Sequence, residues 1–369
     1  MVTVLFWICA GLLVYAQAGY GVLLRALAAV RRTRSTPAGG ALPSVSLIIA
    51  AYQEEDVIAA KVANARALDY PGALEVVVAC DGSPDATPQR AREAGADLVL
   101  ELPRGGKIRA QDQAVQRSTG EIVAFSDANA LWAPDALREL VAPFADPGVG
   151  YVCGQVAFVN EAGTNQEGLY WRYEMWLRSL ESRLASVTGG NGAIYATRRE
   201  DYLVVDPVMG HDLSFPFNRV KRRRRAVYAA AARATEKMVP SIEGEFARKR
   251  RMQSHMWPIV VRGGLLSPRG YSPLYALMIL SHRVLRYLAP FLHVAALALN
   301  AALLGAGWIY VAAFAAQVAI LAAAAVPVRA RAALIARYYV LTNAAIAFGL
   351  VDWLRTGTPA HWSPPEGTR

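Results

Sequence analysis

The chain has 369 residues, of which 54% are hydrophobic and 18% charged, and its formal net charge is +10. This length allows one large α/β domain with additional segments, and so apolar a composition points to membrane helices. The three cysteines are too few and too scattered for a disulfide framework or a zinc site, which fits a reducing compartment. Nucleic acid is excluded as a partner, because no recognition module accompanies the positive charge.

The N-terminus has the character of a membrane anchor. Residues 1–24 carry no charged side chain, and the first arginine is Arg25. A cleaved signal would place its positive charge before the apolar run and a small-residue cleavage site after it. The sequence therefore predicts an uncleaved transmembrane anchor over residues 1–30, with the N-terminus outside and the basic side in the cytoplasm.

Strand-like and helix-like segments alternate in the next part of the chain, which we assign to a separate polar domain over residues 40–247. Strands are predicted at 45–52, 74–81, 97–102 and 121–127, and helices at 54–68, 83–96 and 107–118. This alternation predicts an α/β fold, with a doubly wound, mostly parallel sheet flanked by helices. Ligands of such sheets bind at the carboxyl ends of the strands.

Polar side chains follow three of these predicted strands. Tyr52 and Glu54 follow the first strand, Asp81 ends the second, and Asp127 and Asn129 follow the fourth. The first turn, AAYQEE, is not a glycine-rich phosphate loop, so a divalent cation held by carboxylate and amide oxygens is the alternative way to neutralise a diphosphate. Taken alone, the segment DGSPD also fits a turn in which Asp81 is a cap.

Six segments in this order and spacing resemble glycosyltransferase family 2. The similarity extends over residues 43–252 and is strongest to the membrane-integrated branch, which includes cellulose, chitin, hyaluronan and poly-N-acetylglucosamine synthases. The segments are PSVSLIIAAYQEE (43–55), ACDGSPDAT (79–87), GGKIRAQDQAV (105–115), GEIVAFSDANALWAPDALREL (120–140), GGNGAIYATRR (189–199) and GHDLSFP (210–216). The resemblance implies a GT-A fold.

The resemblance also implies a reaction and a set of site residues. The donor would be a nucleotide-sugar, UDP- or GDP-linked, used with Mg²⁺ or Mn²⁺. The implied donor-binding residues are Ala51, Tyr52, Glu54, Asp81, Lys107, Asp127, Arg248 and Arg251. Asp127 and Asn129 would bind the metal, and Gly190, Asn191 and His211 would contact the acceptor. Asp212 would be the general base of an inverting transfer, since inversion needs a group that takes the proton of the attacking hydroxyl.

The sequence departs from the family pattern at some of these positions, and also at Gln53 and Asp112, each of which stands where the family has Asn. Asn129 replaces the second acid of the metal-binding DxD element, so we expect a carbonyl ligand and a weaker metal affinity. His211 replaces the glutamate of a Glu-Asp pair. Residues 248–252 read RKRRM where the synthases have Gln-x-x-Arg-Trp, and the missing tryptophan argues against processive polymer synthesis.

The C-terminal third is apolar with basic flanks. Residues 248–286 mix basic, aromatic and apolar residues, which predicts amphipathic helices at the membrane interface. A membrane region is predicted over 287–352: residues 287–328 lack charged side chains and fit two spans joined at 305–307. The uncharged run 338–351 fits a third span or a re-entrant helix. Three or four spans are therefore possible in total, followed by a tail over 353–369.

The sequence thus predicts a multi-pass cell-membrane protein with a cytoplasmic transferase domain. It would transfer one sugar to a lipid-linked or membrane-associated saccharide acceptor, in contact with membrane lipid. Two alternatives stay open: a processive polysaccharide synthase, and a catalytically degenerate nucleotide-binding scaffold. The identity of the sugar and the oligomeric state do not follow from motifs.

Overall fold

The computed structural model describes residues 1–30, 42–159, 168–237, 242–325 and 331–360. The described residues form an eight-stranded sheet in the order β3-β2-β1-β4-β7-β6-β8-β5. The strands are β1 Val45–Ala51, β2 Leu74–Asp81, β3 Leu98–Leu102, β4 Ile122–Asp127, β5 Leu131–Trp132, β6 Val149–Val159, β7 Tyr195–Arg198 and β8 Arg225–Lys237. The helices of the body are α2 Ile58–Arg66, α3 Thr87–Glu93, α4 Lys107–Arg117, α5 Ala136–Val141, α6 Gly168–Leu184, α7 His211–Lys221 and α8 Ile242–Val261.

Strands β3, β2, β1 and β4 are parallel neighbours. Ala50 of β1 is paired with Ala79 on one side and with Asp127 on the other, so the carboxyl ends of these strands lie at one edge. The remaining half of the sheet is mixed, because β7 runs antiparallel to both β4 and β6. The predicted α/β fold with flanking helices is confirmed, and its sheet is mixed: among the described residues four strand pairings are parallel and three antiparallel.

The burial of strand β1 on both faces explains its nearly continuous run of apolar residues. Leu47 and Ile49 belong to one apolar cluster and Ile48 to another on the opposite face, and all three are fully buried. Parallel strands covered on both faces lose the alternation of polar and apolar residues that marks a half-exposed strand. The run is therefore a signature of a sheet between two layers.

The turns after β1 and β2 are longer than predicted. The helix expected from residue 54 begins at Ile58, because residues 54–57 form a turn in which Glu54 O accepts from Val57 N and Ile58 N at 3.0 and 2.9 Å. The helix expected from residue 83 begins at Thr87, whose hydroxyl donates to Asp85 at 2.7 Å. These longer turns leave open space at the carboxyl edge of the sheet.

Four helices are long and apolar enough to cross a membrane, judged by length and composition among the described residues. They are α1 Val2–Val30, α9 Pro273–Ala301, α10 Trp308–Ala325 and α11 Arg331–Thr356. They fit a membrane-associated protein, whereas their orientation and the cytoplasmic side of the body stay predictions.

The two helices expected within 287–328 are joined by a short turn, Leu304–Ala306, and by Gly307 at φ 146°, a backbone conformation that favours glycine. The predicted boundary at residue 286 lies inside the continuous helix α9. Helix α11 extends well beyond the uncharged run 338–351 that predicted it. Residues 361–369, most of the predicted tail, lie outside the described residues.

Helix α8, which carries the arginine-rich segment, packs along α11. Arg250 is bonded to Asp352 at 2.6 Å, Lys249 donates to the hydroxyl of Tyr338 at 2.7 Å, and Trp257 Nε1 donates to a carbonyl of α11 at 3.0 Å. At Gly349 an added Cβ would lie 2.6 Å from Gln253, so glycine permits this close approach. The last apolar helix is therefore tied to the catalytic body by polar bonds.

Candidate active site

A cavity of about 510 Å³ opens at the carboxyl edge of β1, β2 and β4 and extends to α9 and α11. All residues that the sequence assigned to donor, metal, acceptor or proton transfer line it: Ala51, Tyr52, Glu54, Asp81, Lys107, Asp127, Asn129, Gly190, Asn191, His211, Asp212, Arg248 and Arg251. Their convergence is a feature of the fold, while the role of each side chain stays a prediction.

Asp81 organises the loop that precedes α4. Its carboxylate accepts from the backbone N–H groups of Gly105 at 2.7 Å and Gly106 at 2.9 Å, and it pairs with Arg104 at 2.7 Å. The Arg104 guanidinium in turn stacks over the Tyr52 ring, 3.2 Å from its centroid. Asp81 is therefore a cap, as one interpretation of the sequence had it, although it caps residues 105–106 and not its own turn.

Lys107 and Asp127 form an ion pair at the floor of the cavity. An added Cβ at Gly192 would lie 3.4 Å from Lys107 Nζ and 3.8 Å from Asp127 Oδ2, so Gly192 lies directly beside the pair. Burial alone would lower the pKa of Lys107, but the charges of Asp127, Asp212 and Glu236 outweigh it and the pKa is raised. The amine is thus held as a cation beside the predicted metal site.

Asp212 lies in the first turn of α7. Its carbonyl oxygen accepts from Gly190 N at 2.6 Å, which fastens the loop of Gly190 to the start of the helix. Burial raises the pKa of the Asp212 carboxyl, and the charges of Lys107 and Arg283 oppose this rise. A carboxylate with a raised pKa is a better proton acceptor than an exposed one, which suits a general base.

His211 is 2% exposed and lies in an aromatic cluster. Its Nδ1 lies 2.9 Å from the hydroxyl of Tyr195, and its ring stacks on Phe215 with centroids 4.1 Å apart. Burial, then the charges of Lys107 and Arg219, lower the pKa of His211 to about 3. The imidazole is therefore neutral at ordinary pH, and its predicted contact with the acceptor would be that of a neutral group.

The loop of Gly190 and Asn191 is held by hydrogen bonds between the Asn191 side chain and backbone groups. Asn191 donates to the carbonyl of Gly154 at 2.7 Å and accepts from the N–H of Ile194 at 2.9 Å. Any side chain at Gly190 would collide with the hydroxyl of Tyr151. Both residues therefore shape the wall of the cavity through its backbone, and the acceptor contacts predicted for them stay untested.

The predicted diphosphate-binding arginines come from α8. Arg248 is bonded to Glu245 through two contacts of 2.7 Å each. Burial, then the charge of Arg248, lowers the pKa of Arg251. Glu245 itself lines the cavity, so the positive charge available to a diphosphate here is shared with an acid.

Glu236 is a site residue that the motifs did not reveal. Strand β8 pairs with β5 so that Thr235 faces Leu131, and Glu236, the next residue of β8, lines the cavity together with Asn129. Its Oε1 is buried and has no hydrogen-bond partner in the described part of the chain. Burial, then the charge of Asp127, raises the pKa of Glu236 to about 7.

Lys61 is a second residue without a motif. It is fully buried in α2, and its amine donates to the Ala130 carbonyl at 2.6 Å, so it supports the segment that carries Asp127 and Asn129. Burial lowers the pKa of Lys61 to about 7, and the charge of Asp127 opposes the decrease. A lysine on an otherwise helical pattern gives no sequence signal of this role; only the position of α2 under the loop shows it.

Comparisons with known proteins agree with this geometry. The family described as Glycosyl transferase family 2 matches residues 46–203. The chain is 31% identical over 139 residues to an N-acetylglucosaminyltransferase of Bradyrhizobium elkanii, covering 34% of this chain and 74% of that protein. It is 34% identical over 161 residues to an N-acetylglucosaminyltransferase of Mesorhizobium japonicum, covering 42% of this chain and 38% of that one.

A third relative is a beta-monoglucosyldiacylglycerol synthase of Synechocystis, 32% identical over 216 residues, which cover 53% of this chain and 43% of that protein. The chain thus spans less than half the length of the Mesorhizobium and Synechocystis relatives. In fold it is similar to a mannosyltransferase of Pyrobaculum calidifontis, with a TM-score of 0.78 and 23% identity over 96% of this chain and 99% of that one. The relationship predicted from the motifs is confirmed: the chain belongs to glycosyl transferase family 2.

Proposed function

We propose that the protein is a membrane-bound inverting glycosyltransferase. It takes a sugar from a UDP- or GDP-linked donor and transfers it to a lipid-linked or membrane-associated saccharide acceptor. The observation that carries this proposal is one cavity that joins the donor-type carboxylates of the sheet edge, the buried Asp212 and walls from two apolar helices, α9 and α11. An acceptor held in the membrane would reach the donor along the cavity walls that α9 and α11 form.

Asp212 would act as the base. The acceptor hydroxyl oxygen forms a bond to the anomeric carbon while the bond from that carbon to the nucleotide diphosphate breaks, and the hydroxyl proton passes to the Asp212 carboxylate. Attack from the face opposite the leaving group inverts the anomeric configuration. The raised pKa of Asp212 and its place on the rim formed with Gly190 support this role.

The leaving diphosphate needs positive charge. The protonated Lys107 and the cavity-lining Arg248 and Arg251 would supply part of it. Because each of the first two already contacts a carboxylate, a divalent cation would be expected to supply the rest.

Mg²⁺ or Mn²⁺ would be held by the Asp127 carboxylate, the Asn129 carbonyl and the orphaned oxygen of Glu236. All three are hard oxygen donors of the kind that both ions prefer. Among the described residues no three acid, histidine or cysteine side chains are grouped closely enough to hold an ion by themselves, so donor oxygens and water would complete its ligand set. When bound, the ion would stabilise the negative charge of the departing diphosphate. The Pyrobaculum mannosyltransferase was solved in complex with GDP-mannose and Mn²⁺.

The two alternatives are less well supported. Met252 lines the cavity where the polymer synthases have tryptophan, which favours a single transfer over processive synthesis. The carboxylates of Asp81, Asp127 and Asp212 all line the same cavity, which argues against a degenerate scaffold. The length of the product formed in vesicles supplied with labelled nucleotide-sugar distinguishes single transfer from processive synthesis, because a ladder or a high polymer would contradict single transfer.

The test of the proposal is Asp212→Asn in the full-length protein. Transfer of labelled sugar in membranes should decrease by about 10²–10⁴-fold, the usual contribution of a positioned base, while binding of the nucleoside diphosphate is retained. Asp206→Asn is the matched control, since Asp206 is exposed and precedes α7 in the same segment. Full activity of Asp212→Asn would show that Asp212 is not the base.

A further inference from the structure

Where the cavity is walled by α6 and α9, which we call its far end, it is lined by three arginines. Arg178 belongs to α6, and Arg283 and Arg286 belong to α9, one of the helices long enough to cross a membrane. Arg178 donates to the Gly190 carbonyl at 3.1 Å. Arg283 donates to the hydroxyl of Thr188 at 2.9 Å and packs directly against Gly189, where a side chain would collide with its guanidinium.

The acids of this region are already bonded to other groups. Glu174 pairs with Arg286 at 2.7 Å and with His282 at 3.3 Å. Glu181 pairs with His282 at 2.6 Å and accepts from Tyr20 and from the backbone and hydroxyl of Thr188. Neither carboxylate forms an ion pair with Arg178 or Arg283 in the part of the chain that the structure describes.

Arg178 is therefore an unusual side chain. It is 3% exposed, and its Nε is buried without a hydrogen-bond partner among the described residues. A buried guanidinium with an unused N–H is unfavourable unless a ligand completes its bonds. Arg283 lies beside the same loop, and the two guanidinium groups together are forked donors of the kind with which proteins bind phosphate groups.

Arg178 and Arg283 lie beside the loop that is fastened to Asp212. Arg178 and Arg283 contact residues 188–190, and Gly190 is fastened to Asp212. The charge of Arg283 reaches the Asp212 carboxyl. The donor diphosphate would instead meet Lys107 and Asp127 at the sheet edge. Tyr287 of α9 and Tyr338 and Thr342 of α11 continue the wall toward the apolar helices.

We propose that Arg178 and Arg283 form a binding site for a phosphate group carried by the lipid acceptor. The preferred acceptors of the enzyme are then phosphate-bearing lipids and not neutral lipids or free sugars. This inference rests on the proposed function, and it adds the chemical class of the acceptor. The phosphate is held beside Asp212, so that the hydroxyl or saccharide attached to it is presented to the base.

The test uses full-length protein in dodecyl maltoside, with a saturating nucleoside diphosphate and Mn²⁺ to occupy the donor end. Three probes are titrated by calorimetry: dioctanoyl phosphatidic acid, dioctanoylglycerol and inorganic phosphate. The lipid phosphate should bind about tenfold or more tightly than its neutral counterpart, because it gains charge-assisted bonds to guanidinium groups. Inorganic phosphate, which lacks the acyl chains, should bind more weakly than the lipid phosphate.

Arg178→Gln and Arg283→Gln should each remove most of this preference while leaving nucleotide affinity unchanged. Arg172→Gln is the matched control, because Arg172 is on the same helix as Arg178 but exposed. Equal binding of the two lipids by the wild-type protein, which needs no variant to fold, would overturn the proposal. So would a preference that survives in both arginine variants, or inorganic phosphate binding as tightly as the lipid. Failure of the wild-type protein to bind any nucleotide-sugar would instead contradict the proposed function.

Discussion

The two ends of the cavity balance their charges in different ways. At the sheet edge two acids lie against cations, in the pairs Asp81–Arg104 and Lys107–Asp127. At the membrane-helix end, Arg178 and Arg283 are held by backbone and hydroxyl oxygens and form no ion pair with the described acids. On the two proposals above, the first end would admit a cation together with an anion, whereas the second would receive an anion alone.

The difference suggests how one cavity handles two substrates. A diphosphate with a divalent cation carries little net charge, so it fits the balanced end. A lipid phosphate brings its charge without a metal, so it fits the end with excess positive charge. Asp212 lies between them and is influenced by both Lys107 and Arg283. Variants at the sheet edge should therefore alter nucleotide and metal binding, and variants at the far end should alter lipid binding.

Outside the transfer reaction, the largest expected effect is on the pH dependence of stability, and it concerns His211, the first residue of α7. Its pKa is about 3 in the folded protein against an ordinary value of 6.5, so below pH 6.5 the unfolded chain gains a proton that the folded chain does not. The stabilisation that comes from keeping His211 neutral is complete above pH 6.5. As the pH falls from 6.5 to 5, the free energy of unfolding decreases by about 2 kcal/mol. Thermal unfolding of wild type and His211→Gln at these pH values measures it.

The loss of melting temperature on acidification should be smaller in His211→Gln than in the wild type. Other titrating groups are common to both proteins and cancel in the difference. Parallel pH profiles would show that His211 is charged in the folded protein, contrary to its burial.

A smaller effect is expected for Glu236→Gln at the sheet edge. Removal of one charged oxygen donor should weaken Mn²⁺ binding by about tenfold in the presence of a nucleoside diphosphate. Paramagnetic resonance of free Mn²⁺ measures this directly. Glu200→Gln is the control, because Glu200 is exposed. Unchanged Mn²⁺ affinity in Glu236→Gln would remove Glu236 from the ligand set and leave its orphaned oxygen without an explanation.

The smallest effect is expected for Asn129→Asp. The amide can offer a carbonyl oxygen to a hard cation but brings no charge, so the added carboxylate should tighten Mn²⁺ binding by a few-fold, roughly 2–5-fold. The same Mn²⁺ titration applies, and lipid phosphate binding at the other end should not change. An unaltered Mn²⁺ affinity would mean that residue 129 is not a ligand.

The sheet edge was largely predictable from the sequence, whereas the far end was not. Tyr52 directly follows β1, and Asp81 and Asp127 are the last residues of β2 and β4. Parallel strands bring their carboxyl ends to one edge whatever else the chain does. Arg178 and Arg283 are separated by about a hundred residues and reach the same loop, residues 188–190, only because α9 packs against α6. No local pattern signals such a pair.

The same reasoning explains Glu236 and Lys61. Glu236 reaches the site through the pairing of β8 with β5, and Lys61 through the packing of α2 beneath that strand. Long-range register and the burial of a single lysine are properties of tertiary structure. The helix boundaries after β1 and β2 were displaced for a related reason: side chains such as Asp85 cap the turns and delay the helices.

The central claim, that this cavity binds a nucleotide-sugar with a metal ion, is tested most directly by thermal shift. Purified wild-type protein is melted with UDP-glucose, UDP-N-acetylglucosamine and GDP-mannose, each with and without Mn²⁺. Since a ligand of the folded state raises the melting temperature, at least one donor should do so in a Mn²⁺-dependent manner, and Asp127→Asn should abolish the shift. No shift with any donor, or an equal shift in Asp127→Asn, would contradict the account.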